Sequence, residues 1–183
     1  MLLAIDCGNT NIVFALYDGD IQRANWRISN DPNRSADEYL VWLAQLMSLK
    51  SLAVDDVTDM IIASVVPAVQ PKLINLASRG FGIVPQVVGG SDIDLGIDIH
   101  IDRPDQAGAD RLVNAVAARD FHDLPAIILD FGTATTLDLI GKGGAYQGGI
   151  IAPGVNLSVE ALYMAAARLP RLAVEPWAVD MPV

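Results

Sequence analysis

The sequence has few of the side chains that most often build disulfides and metal centres. It contains one cysteine and two histidines among 183 residues. An intrachain disulfide and a cysteine-rich zinc site are therefore excluded. His100 and His122 lie in unrelated contexts and lack the spacing of metal ligands. A single cysteine, Cys7, fits a reducing compartment, so a cytoplasmic location is expected.

Positive charge is also scarce. Twelve Lys and Arg residues stand against 22 Asp and Glu residues, which gives a formal net charge of −10. An acidic chain is a poor electrostatic partner for nucleic acid or an anionic membrane, so neither is expected as a partner. An anionic ligand would need a metal ion, backbone amides or a well-placed arginine.

Three further absences narrow the class of protein. No apolar run reaches the roughly 18 residues that span a bilayer, and the N-terminus lacks the basic segment and cleavage site of a signal peptide. The Gly-rich fingerprints of P-loop and Rossmann nucleotide sites do not occur either. Hydrophobic residues nevertheless make up 52% of the chain, so a folded, soluble protein with a substantial core is expected.

The first half of the sequence alternates strand and helix patterns. Strands are predicted at residues 2–5, 11–17 and 21–28. A helix that opens with a capping box is predicted after Ser35, and a strand is predicted to end before Pro67. A helix over residues 69–78 and a strand within residues 82–90 follow. The predicted order is therefore βββαβαβ. Such alternation predicts an α/β layer with ligands at the carboxyl ends of the strands.

The second half restarts the same order. After a loop over residues 91–107, a helix begins at "GADRLVNAVAARDF", and three strands follow in "AIILDF", "TATTLDLIG" and "AYQGGIIAPG". A last helix, "VNLSVEALYMAAARL", is predicted to be capped by Asn156. We expect an N-terminal lobe at 1–106, and a linking helix with a C-terminal lobe at 107–183. The second unit has no sequence left for its αβαβ remainder, so this lobe is expected to be incomplete at its C-terminus.

The repeat places two similar turns at equivalent points, in Asp6-Cys7-Gly8-Asn9-Thr10 and in Asp130-Phe131-Gly132-Thr133-Ala134. A tight hairpin turn with inward N–H groups, in which glycine removes side-chain bulk, can approach phosphate oxygens closely. The acids at the two strand ends would hold cations that offset phosphate charge. Neutral side-chain donors near the turns are Asn9, Thr10, Asn11 and Thr133. One such turn is common in structural roles, but two in register predict a phosphate-binding pair.

Four stretches resemble, in order, the motifs of type III pantothenate kinases, a family of the actin/heat-shock-protein-70/sugar-kinase superfamily. They are "DCGNTN", "PDQAGADRLVNAVAA", "LDFGTATT" and "GGIIAPG", and the resemblance runs from Met1 to about Leu169. It implies two ribonuclease-H-like βββαβαβ lobes and ATP-dependent phosphorylation of pantothenate to 4′-phosphopantothenate, the first step of coenzyme A biosynthesis. It also implies Mg²⁺ with ATP, a monovalent cation (K⁺ or NH₄⁺) and a homodimer.

The resemblance also implies which residues form the site. The first ATP segment would be Asp6, Cys7, Gly8, Asn9, Thr10, Asn11, Ile12 and Val13, with Asp6 near Mg²⁺ and Thr133 contacting ATP from the second turn. Asp130 would be the ligand of the monovalent cation. The pantothenate segment would be Gly108, Ala109, Asp110 and Arg111, with Asp110 as proton acceptor. Arg111 would offer a forked donor that suits a carboxylate.

One position departs from the family pattern. Many members have a tyrosine seven residues before Gly108, where it contacts substrate, and this chain has Ile101. An apolar side chain there could pack against the dimethyl group of pantothenate, although the hydroxyl contact would be lost.

Two other functions remain open. A regulatory protein of the same fold, such as a transcriptional accessory factor, would bind ATP without turnover. Such a module has no evident need for an acid like Asp110 beside Arg111, which favours the kinase. An acetate- or sugar-type kinase of the same superfamily has no substrate motif to support it.

Overall fold

The computed structural model describes residues 1–90 and 93–165. The strands are β1 (Leu2–Cys7), β2 (Asn11–Asp18), β3 (Ile21–Ser29), β4 (Asp59–Ser64), β5 (Gln86–Val87), β6 (Ala126–Phe131), β7 (Ala134–Ile140) and β8 (Tyr146–Pro153). The helices are α1 (Ala36–Ser48), α2 (Gln70–Asn75), α3 (Ala109–Phe121) and α4 (Val155–Ala165), with 3₁₀ turns at Val54–Asp56 and Pro104–Gln106 and a π-helical segment at Leu76–Phe81. The predicted end of the last helix and the tail after it lie outside the described residues.

The first lobe is built on a five-stranded sheet in the order β3-β2-β1-β4-β5. β1 pairs with β2 antiparallel and with β4 parallel, so the two connections after β3 cross over the sheet. Side chains alternate along β1, where Leu3, Ile5 and Cys7 are buried and Asp6 is exposed. The βββαβαβ order is confirmed, although β5 is only two residues long.

Helix α1 covers one face of this sheet. Tyr39, Leu43 and Met47 follow one another at four-residue intervals and are fully buried against the strands. The predicted capping box is present, because Ser35 Oγ accepts from the Glu38 backbone N–H at 3.2 Å and the Ser35 N–H donates to Glu38 Oε2 at 2.7 Å. These hydrogen bonds also hold the pKa of Glu38 below its usual range.

The second unit is a three-stranded antiparallel sheet, β6-β7-β8, followed by α4. Asn156 does not cap α4, since the helix begins one residue earlier and the Ser158 N–H donates to Gly154 O. The cap prediction was therefore wrong. It assumed that a polar residue precedes the helix, whereas the helix already begins at Val155 and Asn156 lies within it.

Helix α3 joins the two sheets. Its first residue, Ala109, packs with Ala63 of β4 and with Val88. Further along, Leu112 and Ala115 pack in a cluster with residues of β7 and β8. The start of α3 therefore lies against both lobes. None of the helices in the described ranges is long and apolar enough to cross a membrane.

Candidate active site

The two predicted phosphate-binding turns meet in the structure. Thr10 Oγ1, in the turn between β1 and β2, lies 2.7 Å from Thr133 Oγ1, in the turn between β6 and β7. Both side chains are exposed. Residues 123 positions apart thus share a hydrogen bond. The internal repeat brings equivalent residues to one place, which we call the hairpin junction (Asp6, Thr10, Asp110, Asp130 and Thr133).

The first turn is held by main-chain contacts and by one side chain. The Gly8 N–H donates to Asn11 O at 3.0 Å. Asn30 Nδ2 donates to Gly8 O at 2.7 Å, and the Asn30 N–H donates to Thr10 O at 2.9 Å. Asn30 therefore braces the turn from the end of β3. Sequence reasoning missed it, and an amide residue directly after a strand was the signal that could have found it.

Neither turn glycine is required by its own backbone or by its neighbours. A Cβ added at Gly8 would meet only Asn11 O, at 3.5 Å, and one added at Gly132 would meet only Ala134 O, at 3.6 Å. Both distances are ordinary contacts, and neither glycine has a positive φ. The absence of a side chain at these positions keeps the approach to the turn backbone open.

Three carboxylates gather at the hairpin junction. Asp6 is the second-last residue of β1, Asp130 is the second-last residue of β6, and Asp110 lies in the first turn of α3. Although Asp6 is partly exposed, the surrounding protein displaces enough water to raise its pKa, and the negative charges of Asp110 and Asp130 raise it further. The positive charge of Arg27 opposes them. A cation at this point would relieve the repulsion.

The acids do not form a metal cage by themselves. Within residues 1–90 and 93–165, no group of three or more His, Cys, Asp or Glu side chains is close enough to hold a metal ion. Mg²⁺ readily takes one or two protein carboxylates together with phosphate oxygens and water. The donor set at the junction fits a cation that arrives with a phosphate ligand.

The other residues of the predicted ATP segment lie partly in the core and partly on the face that carries Asp6. Cys7 and Ile12 pair across β1 and β2 and are fully buried in the core, so only their main chains could face a nucleotide. Burial raises the pKa of the Cys7 thiol, as expected for an unreactive core cysteine. Asn9 is exposed, and Val13 is half-buried on the same face as Asp6.

The predicted pantothenate segment starts α3. Gly108 is the residue before the helix, Ala109 is buried, and Asp110 is half-buried with its Oδ1 accepting from the Arg111 N–H at 2.8 Å. A Cβ at Gly108 would lie only 2.6 Å from that Oδ1. Glycine at position 108 therefore makes room for the position of the Asp110 carboxylate.

Arg111 is held by a buried acid that sequence reasoning missed. Arg111 Nε donates to Asp138 Oδ1 at 2.7 Å, and its Nη2 forms an ion pair with the same oxygen. Tyr146 donates its hydroxyl to this oxygen at 2.8 Å, and the guanidinium lies over the Tyr146 ring. Asp138 is fully buried. A charged residue inside an apolar strand was the signal, since a buried acid needs a partner.

The pKa values in this cluster follow from burial and from Asp138. Burial alone would lower the pKa of Arg111, but the hydrogen bond and charge of Asp138 raise it above its usual value. Burial, then the hydrogen bond to Asp138, raise the pKa of Tyr146 to about 12. Arg111 therefore stays charged and Tyr146 stays a hydrogen-bond donor at neutral pH.

Gly149 of β8 fits closely over this ion pair. A Cβ there would overlap Leu137 O and would lie 2.6 Å from Asp138 Oδ1. Gly154 has a similar role beside the second turn, because its N–H donates to Thr133 O at 3.1 Å and a Cβ would overlap the turn backbone. Both glycines come from the "GGIIAPG" stretch, which was not predicted to serve these contacts.

Ile101 lies near the same cluster. Its side chain is half-buried and packs on the cluster that contains Leu112 and Tyr146. A Cβ added at Gly148 would lie 3.1 Å from Ile101 Cγ2. A cavity of about 360 Å³ opens beside the start of α3, and its lining includes Asp94, Leu95, Pro104, Ala107 and Leu112. Ile101 does not line this cavity.

Repeated three-stranded units whose turns meet beside the start of a shared helix define an α/β fold of the actin/sugar-kinase type, as predicted. The sequence matches the type III pantothenate kinase family over residues 2–181, and the chain belongs to that family.

Curated relatives agree with this assignment. The chain is 59% identical to the type III pantothenate kinase of Rhodospirillum rubrum and 57% identical to that of Paramagnetospirillum magneticum, each over 95% of the chain. It spans 68% and 67% of the lengths of these two relatives.

Solved structures share the fold at low identity. A Campylobacter jejuni protein assigned to the Baf family of transcriptional activators matches with a TM-score of 0.56 and 18% identity, over 96% of this chain and 67% of that one. The ethanolamine utilization protein EutJ of Carboxydothermus hydrogenoformans matches with a TM-score of 0.50 and 14% identity, over 92% of this chain and 57% of that one. At these identities the likeness concerns the fold alone.

Proposed function

We propose that this protein transfers the γ-phosphoryl group of ATP to the primary hydroxyl of pantothenate and so makes 4′-phosphopantothenate for coenzyme A. The observation that carries the proposal is the meeting of both hairpin turns with the start of α3. Donors suited to phosphate and a carboxylate suited to a hydroxyl thereby share one location, in a chain that belongs to a pantothenate kinase family.

The two turns bind the phosphates of ATP in this proposal. Thr10 and Thr133 donate their hydroxyl hydrogens, and the backbone of Gly8 and Asn9 approaches the phosphate oxygens without side-chain interference. The hydroxyl–hydroxyl contact between the threonines is exchanged for contacts to phosphate. Asn30 keeps the first turn in shape through its bond to Gly8 O.

Cations complete the charge balance. Mg²⁺ would be held by Asp6 together with phosphate oxygens, and a monovalent cation, K⁺ or NH₄⁺, would be held by Asp130. Bound Mg²⁺ neutralises charge that develops on the phosphate oxygens during transfer. Loss of water around Asp6, and then the negative charges of Asp110 and Asp130, raise its pKa, and a bound cation would offset this cost of ionisation.

Asp110 orients the hydroxyl of pantothenate and accepts its proton. Phosphoryl transfer passes through a loose transition state, so the carboxylate mainly positions the nucleophile and takes the proton late. The Asp110 carboxylate is fixed by the Arg111 N–H and by the space that Gly108 leaves. Ala109 ties this end of α3 to the first lobe and so keeps the acid near Asp6.

Arg111 binds the carboxylate of pantothenate with fewer donors than a free guanidinium would offer. Its Nε and Nη2 face Asp138, which leaves Nη1 for the substrate. Ile101 packs against the dimethyl group from the same cluster.

We further propose lobes at 1–106 and 107–183, a homodimer, a cytoplasmic location, and no nucleic-acid or membrane partner.

The test is ADP release by the purified chain with Mg-ATP and K⁺, with and without pantothenate. Asp110→Asn should reduce pantothenate-dependent turnover by about 10²-fold or more, which is the usual contribution of a general base. Asp120→Asn is the matched control, because Asp120 lies near the far end of α3 and pairs with Arg119. It should leave turnover unchanged.

The outcomes separate the alternatives. ATP binding without pantothenate-dependent turnover, from a folded chain, would favour the regulatory ATP-binding protein. Turnover with acetate or a hexose in place of pantothenate would favour another kinase of the superfamily. Equal turnover in Asp110→Asn and the parent would remove Asp110 from its proposed role.

A further inference from the structure

A row of paired residues crosses the first sheet beneath the hairpin junction. Asp6 of β1 pairs with Val13 of β2 on one side and with Ala63 of β4 on the other. Val13 in turn pairs with Arg27 of β3. Directly paired residues point to the same face of a sheet, so these four side chains share one face.

This face is the one that carries the hairpin junction. The neighbours of the row along each strand, such as Cys7 and Phe14, are buried in the core on the opposite face. At one end of the row, Ala63 contacts Ala109 of α3, next to the proposed acceptor Asp110. At the other end stands Arg27, two strands from Asp6, or about 10 Å between backbones. A fully extended arginine side chain covers most of that gap.

Arg27 has no polar partner of its own in the described part of the chain. Seven arginines lie within the described residues, and five of them contact an acid, a backbone carbonyl or an aromatic ring. These five are Arg23, Arg34, Arg103, Arg111 and Arg119. The Arg27 side chain is exposed and makes no hydrogen bond or ion pair there, yet its charge acts on Asp6.

The side chains of the hairpin junction include three acids and no base. Asp6, Asp110 and Asp130 are all acidic residues, ATP would add further negative charge, and Arg111 is paired with Asp138. An arginine within reach would add to the proposed Mg²⁺ and monovalent cation in offsetting the charge of a polyphosphate.

We propose that Arg27 binds the terminal phosphates of ATP, as a positively charged contact on the side of the site opposite α3. This inference rests on the proposed kinase function and adds a phosphate-binding residue to it. The guanidinium fork suits phosphate oxygens, with which it forms charge-assisted hydrogen bonds.

The experiment is calorimetric titration of the full chain with Mg-ATP and, separately, with adenosine. Arg27→Gln should weaken ATP binding by about tenfold or more and leave adenosine binding unchanged. Arg27→Lys should retain part of the ATP affinity. Arg23→Gln is the matched control, since Arg23 lies on the same strand at the far end and pairs with Asp18. It should bind ATP as the parent does.

Each other result overturns the inference in a recognisable way. Equal ATP affinity in Arg27→Gln and the parent would exclude the phosphate contact and leave the kinase proposal intact. An equal loss for ATP and adenosine would mean that Arg27 only supports the sheet. A parent chain that binds no ATP would overturn this inference and the proposed function together. Because Arg27 is exposed, the variants should fold, and circular dichroism checks this.

Discussion

At the scale of the residue, Asp6 illustrates how a site can work against the stability of its own fold. Its ionised form is disfavoured by the surrounding protein and by two neighbouring acids, and Arg27 compensates only in part. The folded-state pKa is therefore raised above the unfolded value. The folded chain binds a proton at Asp6 more readily than the unfolded chain does.

The sign of the pH effect follows from this difference. Asp6 favours folding fully below its unfolded pKa, and that contribution is lost as the pH rises through its higher folded pKa. We expect Asp6→Asn to raise the thermal midpoint near neutral pH and to flatten the decline of stability above the ordinary aspartate range.

Thermal unfolding between pH 4 and pH 8 measures the effect. Asp20→Asn, in the exposed turn after β2, is the control and should leave the profile of the parent unchanged. A lower midpoint for Asp6→Asn near pH 7 would show that Asp6 is stabilising, contrary to the argument. Nucleotide binding by Asp6→Asn should fall in any case, because the proposed Mg²⁺ contact is removed.

At the scale of the element, the pairing of β7 with β8 depends on a glycine. Gly149→Ala would place a methyl group against Leu137 O and Asp138 Oδ1, so either the strands must separate or the ion pair must shift. We expect a loss of about 1–3 kcal/mol in the free energy of unfolding, as for other overpacked positions. Urea denaturation measures it.

Gly143→Ala is the control in the same hairpin. A Cβ at Gly143 meets nothing within 4 Å, and its φ is not positive. A matching loss of stability in both variants would mean that an added methyl group destabilises this hairpin at either position, and that the contact with Asp138 is not the cause.

Elements built from local signals were predictable from the sequence, and contacts between distant residues were not. The Ser35 capping box depends on residues within four positions of each other, and it is present. The two hairpin turns were placed correctly because each follows an apolar strand that ends in an acid. Their equivalence in the repeat suggested that they would meet.

The ion pair of Arg111 with Asp138 shows why the rest was missed. The two residues are 27 positions apart, and no local pattern couples them. Asn156 failed as a cap for a different reason, since the helix started at the hydrophobic residue before it. Side-chain preferences near a helix end do not locate the first helical residue to better than one or two positions.

At the scale of the whole molecule, the outer face of β6 remains apolar. Ile127, Leu129 and Phe131 alternate along this edge strand and are exposed by 69%, 49% and 66%. An exposed apolar edge strand favours association, which supports the proposed homodimer. We expect self-association at micromolar concentrations, and Ile127→Lys should weaken it by introducing charge.

Sedimentation velocity over a range of concentrations measures this association. Val84→Lys is the control, because Val84 is 91% exposed but lies in the first lobe. A monomer at every concentration would exclude the homodimer for this chain. If both substitutions weakened self-association equally, the cause would be the change in net charge and not the loss of an apolar contact at β6.

The buried ion pair of Arg111 with Asp138 also constrains how this protein can change over evolutionary time. Removing one partner leaves an uncompensated buried charge, at a cost of about 3–5 kcal/mol, which is a large part of the stability of a typical domain. Single substitutions at either position should therefore be eliminated, and the two positions should vary together or not at all. Position 149 should remain glycine wherever the ion pair is kept. Arg111, Asp138 and Gly149, which lie in three different elements, should therefore be retained together in related sequences.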